Sequence, residues 1–265
     1  MVAEIISVGT ELLLGNIVNT NAQFLAGRLA ELGFDLFYQT VVGDNAEHIR
    51  TKLDDAYRNG AELVILTGGL GPTKDDMTKE MLASYFGKTL EFNEKVFENV
   101  VKQVHAFGAT EITENHRKQA MVPSDSLILE NENGTAPGCV MEKDGKVAVL
   151  LPGPPREMKP MFEQCVNRYL HNLVDRCLVS VNIRLKTKDE APADRVGEAP
   201  VARKLDELLD LENPTVATYA QEEGCLIRIT AAAPTKQDAS VMARIVAANC
   251  IQILGEDIIK EITEK

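Results

Sequence analysis

Leu63-Val64-Ile65-Leu66-Thr67-Gly68-Gly69-Leu70-Gly71-Pro72-Thr73-Lys74-Asp75-Asp76-Met77-Thr78 passes from an apolar run through a glycine-rich turn into a helical pattern. A short continuous apolar run bounded by turn residues reads as a strand buried on both faces, as inside a parallel sheet. The junction between such a strand and the next helix is where open parallel sheets bind ligands. Glycines there let backbone N–H groups converge into an anion site, and the helix N-terminus adds partial positive charge.

Working outward, short β-rich runs alternate with helical patterns, the signature of βαβ units. Ala3 to Val8 reads as the first strand, ending at Gly9. A helix from about Asn21 with Phe24, Leu25, Leu29 and Leu32 on one face stops at Gly33. Phe34 to Val42 is the second strand, and Ile49, Leu53 and Tyr57 mark the next helix. Helices are expected near Thr78 to Phe86, Asn93 to Phe107 and Pro155 to Leu173, with strands around Leu127 to Leu129 and Val147 to Leu151. From Cys177 the order becomes β-α-β-β-α without glycine-rich loops, closing on a helix from Asp238 to Leu254. The expected fold is therefore α/β, a three-layer and mostly parallel sheet followed by a small α+β domain. The boundary falls near Asp175, giving domains 1–174 and 175–265.

Composition excludes several function classes. The 265 residues carry a formal net charge of -12, 5% aromatic residues and no Trp. An acidic surface poor in stacking side chains repels a nucleic-acid backbone, so no nucleic-acid partner is expected. A small phosphorylated ligand remains compatible, because local amides and one Lys can hold it. Cys139, Cys165, Cys177, Cys225 and Cys250 lack metal-type or paired spacing and read as reduced, buried thiols. No apolar run is long enough to span a membrane and the N-terminus has no signal-peptide pattern, so a cytoplasmic protein without a membrane partner is expected.

The candidate site gathers at strand ends. Thr67, Gly68, Gly69, Gly71, Pro72, Thr73 and Thr78 form the main loop, where Lys74 offers a compact charge for phosphate. Asp75 and Asp76 sit awkwardly beside an anion unless a divalent cation (Mg²⁺ or similar) lies between, which points to metal-assisted phosphate chemistry. The plainer reading is that the Asp pair caps the helix. Spacing excludes a Walker A loop, Gly87-Lys88-Thr89 being a decoy, and the third glycine of a dinucleotide fingerprint is missing. Thr10, Glu11, Asn19 and Asn21 follow the first strand, Asn21 being either a helix cap or a ligand contact. Asp44 follows the second strand and either caps the next helix or lies beside the glycine-rich loop. Gly134-Thr135-Ala136-Pro137-Gly138 and Leu151-Pro152-Gly153-Pro154-Pro155 add rigid loops, with Gly134, Thr135, Ala136, Pro137, Gly153 and Pro154 as candidate contacts. Together these outline one pocket, with Asp44, Lys74 and Asp76 as catalytic candidates and Asp44, Asp75 and Asp76 as metal ligands. His48, His105, His116 and His171 share no ligand spacing and read as surface or capping residues.

These motifs, with Ser7-Val8-Gly9-Thr10-Glu11-Leu12-Leu13-Leu14-Gly15, strongly resemble the competence/damage-inducible CinA family. The resemblance implies a first domain of the molybdopterin-binding MogA/MoaB/gephyrin type and a KH-like second domain, here without a Gly-x-x-Gly loop. It implies a hydrolase, a metal-dependent ADP-ribose pyrophosphatase releasing AMP and ribose 5-phosphate, and a homodimer. In molybdopterin relatives an Asp after the second strand and an Asp in the glycine-rich segment matter, corresponding to Asp44 and Asp76. Many members also carry a nicotinamide-mononucleotide deamidase domain, which this sequence does not contain, so no deamidase activity is expected. The competing expectations are a pterin-binding or adenylyl-transferring enzyme and a non-catalytic nucleotide-binding module.

Overall fold

The computed structural model describes residues 1–73 and 76–264. They divide into two compact units, one of Met1–Ala30 with Phe34–Leu173, the other of Glu31–Gly33 with Val174 onward.

In the first unit the chain runs β1 (Val2–Val8), α1 (Thr10–Leu13), α2 (Thr20–Glu31), β2 (Asp35–Val42), α3 (Ala46–Arg58), β3 (Leu63–Thr67) and α4 (Thr78–Tyr85). Then come β4 (Leu90–Phe92), α5 (Glu94–Ala106), α6 (Glu114–Gln119), β5 (Met121–Pro123), β6 (Leu127–Leu129), β7 (Gly138–Lys143), β8 (Lys146–Leu151) and α7 (Pro155–Arg168). The main sheet has the order β2-β1-β3-β8-β7-β6, parallel across its first four strands. From β1 the chain moves outward to β2 and then back past β1 to β3, so the strand order reverses between β1 and β3. Such a reversal opens a crevice beyond the strands' C-terminal ends. Register brings those ends level: Ser7 pairs with Thr67 and Thr67 with Leu151, while Val8 pairs with Val42.

Each face of this sheet is covered, as the unbroken burial of Leu63–Thr67 requires. On one face Ile6, Val8, Val64, Leu66, Ala148 and Leu150 pack with Ile49 and Leu53 of α3 and Leu82 of α4. Residues of opposite parity, such as Ile5, Ile65 and Val149, are equally buried. Helices α2 and α7 bury Leu25, Leu29, Met158 and Phe162, and the rings of Phe24 and Phe162 meet edge-on with centroids 6.1 Å apart. Burying each such side chain stabilises by roughly 1.5–3 kcal/mol. A satellite cluster of Val96, Val100, Val104, Ala120 and Val122 joins α5 and α6 to the antiparallel pair of β4 and β5.

The second unit comprises β9 (Cys177–Leu185), α8 (Ala193–Val196), α9 (Glu198–Lys204), α10 (Asp206–Leu209), β10 (Thr215–Tyr219), β11 (Leu226–Ala233), α11 (Lys236–Leu254) and β12 (Ile259–Glu264). Its antiparallel sheet has the order β10-β11-β9-β12. Strand β12 goes beyond the β-α-β-β-α order expected from sequence. It is an edge strand with an almost wholly exposed, charged sequence, and edge strands carry little apolar signal. Strands β4 and β5 are further additions, as is β7. Strand β7 pairs antiparallel with β8 through Asp144-Gly145, whose positive φ values of 53° and 73° suit a tight hairpin turn. The helix expected to reach Leu173 ends at Arg168, and a short 3₁₀ turn, Leu170–Asn172, follows.

All five cysteines are free and four are buried, and burial pushes the Cys139 and Cys165 thiols up to about 12. Among the described residues no helix is long and apolar enough to cross a membrane.

Glu4 is the odd residue of β1: it is 5% exposed, with the Thr40 hydroxyl 3.2 Å away. Burial raises its pKa above the ordinary 4.5, Thr40 offsetting part of the effect. A carboxyl whose folded pKa lies above the unfolded one contributes stability at low pH and loses it as pH rises through the folded value. Glu4→Gln is therefore expected to raise the melting temperature at pH 7. It should leave it unchanged well below pH 4.5, as thermal melts across that range would report.

Candidate functional site

Where β3 ends, the chain turns across the end of β1. Gly68 N donates to Leu151 O at 3.0 Å, and a Cβ on Gly68 would stand 2.1 Å from Val8 O. Gly69 follows with φ +65°, and a Cβ there would meet Thr78 Oγ1 at 2.0 Å. Only glycine satisfies both demands, the left-handed backbone and the close approach. Within the turn, the N–H groups of Gly69, Leu70 and Gly71 make no hydrogen bond among the described residues, so they are available to an anion.

The loops at this sheet edge enclose a cavity of about 380 Å³, lined by Gly9, Gly68 to Pro72, Gly134 to Ala136 and Pro152 to Pro154. Four carboxylates line it: Glu11, Asp44, Asp76 and Glu157. Asp44 Oδ2 accepts from Thr10 N (2.9 Å) and Thr10 Oγ1 (2.8 Å), which ties the loop after β2 to the start of α1. It is released for this by its neighbour, because Asn45 caps α3 by accepting from the backbone of Glu47 and His48. Asp76 Oδ2 accepts from Thr73 N (2.9 Å) and Thr73 Oγ1 (2.6 Å), bracing the glycine-rich loop upon itself. Asp76 therefore caps no helix, and the N-cap of α4 is Met77, without a side-chain bond. Glu157 is held by Asn131 Nδ2 at 2.8 Å, and a Cβ on Gly134 would overlap its carboxylate.

A second cavity of about 290 Å³ adjoins the first, sharing Val8, Glu11, Gly153 and Pro154 and adding Asn19, Asn21 and Thr67. Here the helix cap is Asn19, whose Oδ1 accepts from Ala22 N at 3.1 Å while its Nδ2 donates to Ser7 Oγ at 2.9 Å. Asn21 is thereby freed. Its Nδ2 donates to Gly153 O at 2.6 Å and its buried Oδ1 has no partner among the described residues. That atom can only accept, so it suits a sugar hydroxyl better than a phosphate oxygen.

Other candidates fall outside the cavities. Thr78 is fully buried beneath Gly69, its hydroxyl closing the underside of the loop, so it does not face a ligand. Thr10 and Thr73 act by holding Asp44 and Asp76. Pro137 faces a separate cavity between α5 and β6, and Gly138 packs against Met161 and Leu150. Lys74 and Asp75 lie outside the described residues. His116 closes a capping box with Thr113, as a capping reading has it.

Leu70, Phe107, Gln119, Pro152 and Glu157 line the main cavity without having been singled out as site residues. Glu157 lies two residues past the prolines of the Leu151–Pro155 motif. Phe107 and Gln119 carry no local signal. Behind the loop sits Lys79, also unexpected: its nearly buried ammonium donates to Lys118 O at 3.0 Å. Burial holds its pKa below the usual lysine range, and Glu80 opposes the shift.

The fold agrees with the comparisons. Residues 4–172 match the family described as probable molybdopterin binding domain, and residues 195–259 match the damage-inducible protein CinA KH domain. The chain belongs to the CinA family. It is 46% identical over 257 residues to a CinA-like protein of Kosmotoga olearia, covering 97% of this chain and 60% of that one. A Clostridium beijerinckii protein bearing the competence-damage inducible name is 43% identical over 259 residues, covering 97% of this chain and 61% of that one. This CinA-family chain thus spans about three-fifths of the length of these curated relatives. A solved structure of the protein CinA from Thermoplasma acidophilum, titled as of unknown function, is similar at 35% identity and a TM-score of 0.57. That match covers 62% of this chain and 95% of that one.

The loop geometry sets a contrast between two glycines. Gly69→Ala is expected to destabilise the protein by about 2–4 kcal/mol, because a Cβ meets both positive φ and a fixed hydroxyl. Gly153→Ala, whose Cβ would make an ordinary 3.7 Å contact with Gly68 Cα, should change stability by less than about 1 kcal/mol. Urea unfolding of the two variants checks the pair.

Proposed function

We propose that the first unit binds a small phosphorylated nucleotide across its two adjoining cavities and hydrolyses the pyrophosphate bond, ADP-ribose and water giving AMP and ribose 5-phosphate. The observation that carries this reading is the convergence of Asp44 and Asp76 on a cavity floored by free backbone N–H groups. Two adjoining spaces suit a ligand with two ends and a charged middle.

Four carboxylates around an anion are repulsive unless a cation intervenes. Among the described residues no three acidic, His or Cys side chains are grouped to hold an ion by themselves. Ions of the Mg²⁺ kind are commonly held by one or two carboxylates together with substrate phosphates. Asp44 and Asp76 fit that smaller role, since each uses only Oδ2 in hydrogen bonds and leaves Oδ1 open. A divalent ion bound there would supply Lewis-acid neutralisation of the phosphates. The residues of the chain supply the rest. The N–H groups of Gly69, Leu70 and Gly71 receive phosphate oxygens and stabilise the charge on the departing phosphate. Lys74, by its place in the sequence, adds a positive charge to the same loop. Thr10 and Thr73 keep the two carboxylates oriented, and Asn21 Oδ1 accepts from a hydroxyl of the terminal ribose.

A second reading has its own support in the match to a molybdopterin binding domain over residues 4–172. It makes the same cavity a pterin or adenylyl-transfer site, or a nucleotide-binding module without turnover.

Incubation with ADP-ribose and a panel of divalent ions, with chromatography of the products, separates these readings. The expected result is metal-dependent AMP release, reduced on the order of 100-fold or more by Asp76→Asn. ADP-ribose binding without turnover under every ion would point to a binding module. Molybdopterin binding without hydrolysis would point to the pterin reading.

A further inference from the structure

Gln119 ends α6 and is 3% exposed, yet its Oε1 has no hydrogen-bond partner among the described residues. A buried amide oxygen left unpaired is costly, and such groups in folded proteins call for a partner. Gln119 forms part of the main cavity's wall, and so does Phe107, the C-cap residue of α5, which is 59% exposed. An exposed phenyl ring at a cavity wall offers a flat apolar face on which a planar ligand can stack.

The position of Gln119 is fixed from behind. Lys79 Nζ holds the carbonyl of the preceding residue, Lys118, at 3.0 Å. Lys118 Nζ in turn reaches Asp76 O at 3.4 Å and Glu80 at 3.2 Å. The backbone that carries Gln119 is thus tied, through Lys118, to the same segment that carries Asp76. Nothing about this clasp is needed to bind phosphate. It registers a hydrogen-bonding amide and an aromatic ring against the glycine-rich loop.

A carboxamide presents one acceptor and one donor group side by side. That pair matches the 6-amino group and adjacent ring nitrogen of adenine, the pairing by which Gln reads adenine elsewhere. An aromatic face beside it accepts the flat base by stacking. We propose that Gln119 and Phe107 form the base subsite of the cavity and select an amino-bearing purine. Gln119 reads the edge, Phe107 carries the face, the glycine-rich loop holds the phosphates, and the second end extends toward Asn21. This inference rests on the nucleotide reading above, but not on whether hydrolysis follows.

The test compares binding of ADP-ribose with that of its analogue lacking only the 6-amino group, by calorimetry with Ca²⁺ supplied as the counter-cation and chromatography confirming that the ligands stay intact. Wild-type protein should bind ADP-ribose roughly tenfold tighter or more. Gln119→Met should bring ADP-ribose down to the level of the analogue. Gln119→Glu, which keeps an acceptor oxygen, should retain the preference. Phe107→Ala should weaken both ligands alike, with Phe107→Tyr restoring them. Thermal melts establish that each variant is folded. Equal binding of the two ligands by wild type, or a preference surviving in Gln119→Met, overturns the base subsite while leaving the hydrolysis reading intact. Discrimination without turnover under any metal upholds the base subsite and removes the hydrolysis reading. No binding of ADP-ribose overturns both.

Discussion

The close passage of Gly68 over the end of β1 governs the whole site. Its Cα lies where any side chain would strike the Val8 carbonyl, and its N–H is claimed by Leu151 of β8. One residue therefore locks three neighbouring strand ends together at the point where the sheet reverses its order. The next three residues line the cavity, and their N–H groups make no hydrogen bond among the described residues. Thr78 closes the turn from below, and Asp76 braces it through Thr73.

Electrostatics then sets what the cavity can accept. Glu11, Asp44, Asp76 and Glu157 give it an acidic lining, while its floor offers uncommitted N–H donors. Such a mixture suits an anion that arrives with a counter-cation and rejects a bare one. The neighbouring side chains are arranged to keep these carboxylates in place. Thr10, Thr73 and Asn131 each donate to one of them, and Asn45 takes over the capping of α3 that Asp44 would otherwise perform.

Much of the fold was legible because its signals are local. Unbroken apolar runs such as Leu63 to Leu66 require burial on both faces, and 3.6-residue periodicity with glycine stops marks helices such as α2. Strands β7 and β12 escaped for physical reasons. The first opens on a glycine directly after a proline-bearing loop and turns back through only two residues. The second is a charged edge strand, paired on one side only. The candidate site was legible wherever a loop follows a strand end. Assignments within loops were weaker: Asn19 and Asn45 turned out to be the caps, and Thr78 is a buried support. A side chain one residue along points elsewhere, and only packing decides which one meets solvent.

The sequence alone determined the α/β class, the glycine-rich loop at the end of a buried strand, and the set of loops from which a pocket could be built. These follow from conformational preference and apolar periodicity, both properties of short segments. Tertiary structure decided which loops share a cavity, which carboxylates face it, and that Phe107 and Gln119 join its wall from helices more than 30 residues beyond the glycine-rich loop. Those matters depend on strand order and register. Both are set by how long-range contacts close around the core, which no local pattern encodes.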